Sequence, residues 1–395
     1  MAITRRHFVQ TAGIGAGAAL TSSVWGRGRE HSVWSAFDAE LQAVEKGMIC
    51  IASNENPVGP GKKVLDTLRG LLEGGAKPGR YSNQTGELTD AICAHFKVKP
   101  ENVLLSEGST EILRAATQVY TSKTKALVGT IPTYEECAGY AELIGNPVRG
   151  VKLSSEFKID LDPFLAASKG AGLVFYCNPN NPTATYVGAK ATRDFLTKLH
   201  AASPETTVLV DEAYFDYVTD SDHATHVPLA IEDPRVIVAR TFSKAYGMAG
   251  LRQGYAIGHP DAIKKMRPWV GASGTGSLNV FGMAAATAAI SQDADGAFTA
   301  NERNRNKAVR DMASKWFADR GMKPTDCQAN FMFVNIGTPA KAFREACRAK
   351  GVMVARDFPP FEKTHARITL GTMEEMTKAV QVFGDVLAKK STAAA

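Results

Sequence analysis

The 395-residue sequence predicts an α/β protein, with a large domain on a mostly parallel, doubly wound sheet and a smaller α+β domain. Two observations predict the large domain. Strand-length apolar runs alternate with helical patterns between about residues 102 and 258, the rhythm of βαβ units. Each run also delivers polar groups at its carboxyl end, where open α/β sheets bind ligands. A third observation predicts the small domain. Past about residue 292 a long charged amphipathic helix leads into short strands and further helices. The expected large domain is 63–292, and 293–395 belongs to the small one.

The first 26 residues stand apart. Thr4-Arg-Arg-His-Phe8 precedes Thr11-Ala-Gly-Ile-Gly-Ala-Gly-Ala-Ala-Leu20, a weakly apolar run without charge. A positive start before a short apolar stretch reads as an export signal, and Arg5-Arg6 ahead of Phe8 resembles the twin-arginine type. The twin-arginine export machinery is then an expected partner, and the periplasm the expected location. A basic tail on a cytoplasmic protein is the plainer alternative. The run is short for a bilayer span, and no other long apolar segment follows, so a soluble mature chain without stable membrane insertion is expected.

A net charge of +6 is mild for this length and forms no basic block, so nucleic-acid binding has no support. The cysteines at 50, 93, 137, 177, 327 and 347 show no CxxC spacing and no metal pattern with the histidines. Buried thiols are expected, with disulfides open in an oxidising compartment.

In chain order, Ile51-Ala-Ser-Asn-Glu-Asn-Pro-Val-Gly-Pro60 is too rich in turn formers for regular structure. Arg80-Tyr-Ser-Asn-Gln-Thr-Gly86 reads as a loop leading into a helix with Leu88, Ile92 and Phe96 on one face. Asn102-Val-Leu-Leu-Ser106 is a strand, Glu107-Gly-Ser-Thr110 a turn, and a helix follows from 111 to about 120. Free N–H groups at that helix start suit an anion, although serine and threonine are also favoured there simply as caps. Strands at 125–128, 173–176 and 208–210 end at Pro132-Thr-Tyr134, Cys177-Asn-Pro-Asn-Asn-Pro-Thr183 and Asp211-Glu-Ala-Tyr214. A helix at 191–199 lies between the last two, and 254–258 supplies a further strand, antiparallel as one option.

The chain is organised around Arg240-Thr-Phe-Ser-Lys-Ala-Tyr-Gly-Met-Ala-Gly-Leu-Arg252, which follows the buried-strand run Val236-Ile-Val-Ala239. Lys244 therefore lies just past a strand's carboxyl end, with the Thr241 and Ser243 hydroxyls before it and Arg252 eight residues after it. One amine among several anion donors suits a cofactor carrying an aldehyde and a phosphate, bound through a lysine Schiff base. A basic helix start beside a sheet is the alternative on this segment alone. Past 292, Val309, Met312 and Trp316 mark the long helix. Strands at 331–334, 352–354 and 367–370 then alternate with helices at 339–350 and 373 to about 389.

Together Ser53-Asn-Glu-Asn-Pro-Val-Gly-Pro60, the 177–183 loop, Val210-Asp-Glu-Ala-Tyr214 and the Lys244 segment resemble the pyridoxal-phosphate aminotransferases of fold type I. Within them the chain is most similar to the histidinol-phosphate aminotransferases, over roughly 48–388. The resemblance adds residues 27–62 to the small domain. It implies pyridoxal 5'-phosphate on Lys244, with Asp211 facing the pyridine nitrogen and Tyr214 and Asn181 at the ring's phenolic oxygen. Tyr134 is implied as the stacking aromatic. Gly108, Ser109, Thr110, Thr241, Ser243 and Arg252 are the implied phosphate ligands. Tyr81 implies a homodimer, since its counterpart reaches the neighbouring subunit's cofactor. Arg367 is the implied clamp for a substrate carboxylate, with Arg356 for a second anion and Asn56 beside them. No metal is implied.

The resemblance implies transfer of an amino group from a small-molecule donor to a 2-oxo acid, by default histidinol phosphate and 2-oxoglutarate. An exported enzyme for another amine or amino acid is the alternative, and a non-catalytic binding protein or a lyase on the same fold are others. The sequence departs from the pattern at Ala184, where glycine is usual, in the Ala355-Arg356 spacing, and in the export signal.

Overall fold

The computed structural model describes residues 47–73, 85–271 and 278–388. The export signal and Tyr81 lie outside the described residues. The elements in order are β1 (Ile49–Ile51), α1 (Lys62–Glu73), α2 (Thr85–Phe96), β2 (Val103–Ser106), α3 (Gly108–Tyr120), β3 (Leu127–Ile131), α4 (Glu136–Leu143) and β4 (Val148–Lys152). Next come α5 (Leu161–Ser168), β5 (Leu173–Cys177), α6 (Ala189–Ala202), β6 (Thr207–Asp211), α7 (Val227–Glu232), β7 (Val236–Thr241), β8 (Gly254–Gly258) and α8 (Pro260–Met266). The chain continues through α9 (Val280–Gln292), α10 (Ala297–Ala318), β9 (Phe331–Asn335), α11 (Ala340–Arg348), β10 (Val352–Val354), β11 (His365–Thr369) and α12 (Met373–Ala388).

The central sheet has the order β2-β8-β7-β6-β5-β3-β4. Strands β7, β6, β5, β3 and β4 run parallel, and β8 is antiparallel to both β7 and β2. The expected α/β architecture is therefore present. Strands β5, β6 and β7 are buried along their whole length, as continuous apolar runs covered on both faces must be. The register pairs Cys177 with Asp211 and Asp211 with Ala239, so the three strands deliver their last residues to one edge. Helix α9 is apolar nearly all round and packs against α1 and α2 in the same core.

A second hydrophobic cluster gathers Ile51 with Phe331, Val334, Phe343, Val352, Ile368 and Phe383. Helix α10 contributes Val309, Ala313 and Phe317 at four-residue steps, and α12 contributes Met376, Ala379, Val380 and Phe383. Each such buried Val, Met or Phe stabilises by about 1.5–3 kcal/mol. Of the expected Val309, Met312 and Trp316 face, only Val309 is fully buried; the inward stripe is rotated toward Ala313 and Phe317.

Four expectations change. Ile51 is not in irregular chain: it closes β1, which pairs in parallel with β10 across 303 residues of sequence at Ile49–Val352. Helix α3 starts at Gly108 rather than at 111, because a glycine at φ +69° turns the chain directly from strand into helix. Gly86 lies inside α2 and not in the preceding loop. Strand β4 was not foreseen. Its Val-Arg-Gly-Val-Lys sequence is half-exposed at the sheet edge, where charged residues guard an open strand and erase the apolar run. Ala184 adopts φ +61° where glycine is usual, and the turn forms all the same, closed by the Ala184 amide on the Asn180 carbonyl at 2.8 Å. All six cysteines are free thiols. No described helix is long and apolar enough to cross a membrane.

Candidate active site

Strands β6 and β7 are neighbours and end at Asp211 and Thr241, so the loop after β7 carries Lys244 over the edge that holds Asp211. Burial dominates both groups. It pushes the Asp211 carboxyl up to about 6, opposed by the Ala213 amide at 3.2 Å and by the Lys244 charge. It pushes the Lys244 amine down to about 8, helped by the Arg367 charge and opposed by Glu55. Lys244 Nζ donates to the Ser53 carbonyl at 3.3 Å and lies 5.5 Å from the Tyr214 ring centroid. An amine that sheds its proton near neutrality can act as nucleophile and proton carrier. Asp211 is 3% exposed and faces the Cys177 thiol at 3.9 Å; among the described residues no salt bridge reaches it. A carboxylate so placed calls for a cationic N–H donor.

An anion cradle lies beside them. Glu107 gives α3 no side-chain cap, which leaves the first amides of the helix, at Gly108, Ser109 and Thr110, open at its positive end. A Cβ on Gly108 would strike the Arg252 guanidinium, and one on Gly254 would strike the Ser109 amide, so glycine at both positions lets α3, Arg252 and β8 crowd together. Arg252 takes a left-handed φ of +51°, which costs a non-glycine residue about 1–2 kcal/mol. Its guanidinium donates to the Ala249 carbonyl at 2.9 Å and approaches Ser243 Oγ at 3.5 Å; Thr241 Oγ1 donates to the same Ser243 oxygen at 3.0 Å. Among the described residues no carboxylate pairs with Arg252.

Arg367, on β11, is a second unbalanced cation. It is 8% exposed, donates from Nη1 to Asn181 Oδ1 at 2.8 Å and from Nη2 to the Ala52 carbonyl at 2.7 Å, and has Nε buried without a partner. Burial presses its guanidinium down to about 10, so it stays charged at neutral pH. A buried guanidinium with only neutral partners is suited to meeting an anion. Tyr214 accepts from Asn54 Nδ2 at 3.0 Å, which leaves its own proton to donate; burial pushes its pKa up, keeping that proton in place. Burial raises Tyr134 to about 12, and its hydroxyl is hydrogen-bonded with the Thr110 side chain.

Lys244, Asp211, Tyr214, Asn181 and Arg367 thus converge, with the cradle of Gly108, Ser109, Thr110, Thr241, Ser243 and Arg252 beside them. Two expected residues make contacts within the fold. Asn56 spends its amide within the fold, donating to the Ala245 carbonyl at 2.9 Å and accepting from the Val58 amide at 3.0 Å. Arg356 binds both carboxylate oxygens of Glu135 at 2.7 Å. Sequence reasoning missed Asn54, Cys177 and Glu135. Asn54 stands in the same motif as Asn56, but its φ of +56° turns it to Tyr214, and no pattern in the sequence distinguishes the two.

Below the site lies a buried ionic cluster. Glu212 accepts from Arg240 Nη2 at 2.8 Å and Nε at 3.1 Å, from the His226 amide at 2.8 Å and from Thr225 Oγ1 at 2.8 Å. Burial raises the Glu212 carboxyl, but Arg240 and His226 more than offset it and hold it down at about 2. Arg240 also meets Asp216 at 3.2 Å and packs 4.4 Å over the Phe215 ring.

Comparison with known proteins gives this geometry a setting. The family model for "Aminotransferase class I and II" matches residues 46–383. The histidinol-phosphate aminotransferase of Moorella thermoacetica is 33% identical over 355 residues, covering 87% of this chain and 86% of that one. That of Bacillus subtilis (strain 168) is 31% identical over 346 residues, covering 86% and 92%. Among solved structures, a putative histidinol-phosphate aminotransferase from Erwinia carotovora atroseptica superposes with a TM-score of 0.80 at 30% identity, covering 87% of this chain and 97% of that one. The Sinorhizobium meliloti enzyme in complex with pyridoxal-5'-phosphate also gives 0.80, at 25% identity and with 89% and 94% covered. A part-buried lysine just past the end of β7, a buried aspartate at the end of the adjacent β6, an open helix start beside Arg252, and a match that runs through all of them lead to one conclusion: this chain belongs to the class I and II aminotransferases.

Proposed function

We propose that the protein is a pyridoxal-phosphate aminotransferase acting on histidinol phosphate or a closely related amine, with 2-oxoglutarate as acceptor. The observation that carries it is the placement of Lys244, in the loop after β7, over the end of the adjacent strand β6, where the buried Asp211 sits. The residues present fit the cofactor: an amine for its aldehyde, a lone buried carboxylate for its ring nitrogen, and a cation-lined helix start for its phosphate. When bound, the cofactor supplies a ring that withdraws the electron pair left as the substrate's Cα proton departs. The rest is the chain's work. Lys244 Nζ carries that proton. Asp211 would hold a proton on the ring nitrogen, Tyr214 and Asn181 would meet the phenolic oxygen, and Tyr134 would lie against the ring. The α3 amides, Thr241, Ser243 and Arg252 would hold the phosphate, and Arg367 would take the substrate's anionic group.

A screen of amino donors against 2-oxo acids with purified protein tests this reading. Histidinol phosphate should be among the best donors; its failure beside a fast reaction of another amine would move the substrate and leave the mechanism. Arg367→Lys keeps the charge but loses the fork, so KM for carboxylate substrates should rise steeply with cofactor loading intact. Arg367→Ala should cost about 2–5 kcal/mol of binding. Unaltered kcat/KM for every carboxylate substrate in Arg367→Ala would place the clamp elsewhere.

The same reading includes a homodimer in which Tyr81 reaches the neighbouring subunit's phosphate, a small domain made of 27–62 and 293–395, and export on the strength of Arg5-Arg6 and the apolar run to Leu20. A cofactor gripped by separate loops is best loaded as the chain folds, and the twin-arginine route carries folded proteins. Replacing Arg5 and Arg6 together by lysine should strand active enzyme in the cytoplasm. Native protein that fractionates with the cytosol and keeps its N-terminus would refute export.

A further inference from the structure

Two guanidinium groups flank one ring at the substrate end of the site. Phe358 lies 4.5 Å from Arg356 and 4.6 Å from Arg367, measured from each Cζ to the ring centroid. Arg367 has only neutral partners. Arg356 does not: Glu135 closes on its Nη2 with both oxygens at 2.7 Å, while its Nη1 donates to the Asp357 carbonyl at 2.9 Å. Glu135 belongs to the site by position, being next to Tyr134 and immediately before α4. Its charge and that of Arg356 both reach the Arg367 guanidinium. The pocket therefore presents one unbalanced cation and one that already carries a carboxylate.

We propose that Glu135 is a specificity-determining residue, a displaceable counter-ion that keeps Arg356 occupied when the substrate has one anionic group and must give way when it has two. The inference rests on Arg367 being the clamp for the first anion. A ligand with one anionic group and a neutral remainder docks on Arg367 and leaves the pair closed. A ligand with a second carboxylate or phosphate gains Arg356 only by evicting Glu135. Glu135 keeps 25% of its side-chain surface in solvent, so its carboxylate has water to turn to when it is displaced. The exchange spends binding energy on breaking an existing contact, so the pocket binds the second anion less tightly than its two arginines alone would.

Calorimetric titration of the full, cofactor-loaded chain with butyrate and with succinate tests this. Glu135→Gln keeps the shape and removes the charge. It should tighten succinate relative to butyrate at least tenfold, about 1.4 kcal/mol. Adding Arg356→Gln should abolish that gain. If Glu135→Gln does not fold, Glu135→Ser carries the same expectation. A succinate-to-butyrate ratio within twofold of wild type, with butyrate binding still lost in Arg367→Ala, overturns the gate and leaves the clamp standing. A gain that survives loss of Arg356 also overturns it. No binding of either carboxylate by wild-type protein overturns the clamp and the gate together.

Discussion

Lys244→Ala should give a folded chain that binds pyridoxal phosphate without the lysine-linked absorbance and turns over more than about 10⁴-fold more slowly. One acid–base group contributes about 10²–10⁴-fold, and this amine also anchors the cofactor. Folding should not suffer. Burial lowers the Lys244 amine from 10.5 to about 8, so its charged form is a cost to the cofactor-free fold. The cost is fully present below about pH 8 and fades as pH rises toward 10.5, where the unfolded chain loses the proton too. Cofactor-free Lys244→Ala should therefore melt above the cofactor-free wild type at pH 7, with the gap closing at alkaline pH. Wild-type absorbance and full turnover in Lys244→Ala would end the mechanism proposed here.

Arg240→Ala should produce the largest loss of stability. Glu212 is 2% exposed, and removing its guanidinium partner leaves that buried charge facing only His226 and neutral donors, at a cost of about 3–5 kcal/mol. At roughly 2–4 °C per kcal/mol for a larger domain, Tm should fall by on the order of 10 °C. The pH dependence identifies the cause. Glu212 is held at about 2 against an ordinary 4.5, so the stability it contributes is complete above 4.5 and is lost as pH falls from 4.5 toward 2. The gap between wild type and Arg240→Ala should be widest near neutrality and narrow through that window. Adding Glu212→Gln to Arg240→Ala should restore part of the Tm. A gap that widens on acidification would assign the loss to packing over Phe215 instead.

What the sequence made legible and what it hid follow one physical division. Asp211, Lys244 and the Asn181 loop could be read because each follows a strand buried on both faces, and such strands announce themselves as unbroken apolar runs. The helix start after Glu107 and the guanidinium of Arg252 could be read as candidate anion donors from residue type, whereas their joining at one phosphate came only with the resemblance. Strand β4 could not, because edge strands mix charge with apolar residues. Strand β1 is three residues long and takes its partner from the far end of the chain. The choice of Asn54 over Asn56 rests on one backbone angle, and the Glu135–Arg356 contact joins residues 221 apart. Local pattern holds no record of such pairings.

The β1–β10 pairing has a consequence for how the enzyme is made. The floor of the site hangs from β1: the Ala52 carbonyl receives Arg367, the Ser53 carbonyl receives Lys244, and Asn54 holds Tyr214 and Thr369. On the ribosome these residues emerge early and wait through some 300 more before Val352, Met353 and Val354 arrive to pair with them. The nascent chain can finish its central sheet, with Asp211 and Lys244 in place, while Ile49, Cys50 and Ile51 still lack their strand partners. A polypeptide stalled before residue 350 carries Lys244 but neither β10 nor Arg367, so the site we propose is completed only as the last strands arrive.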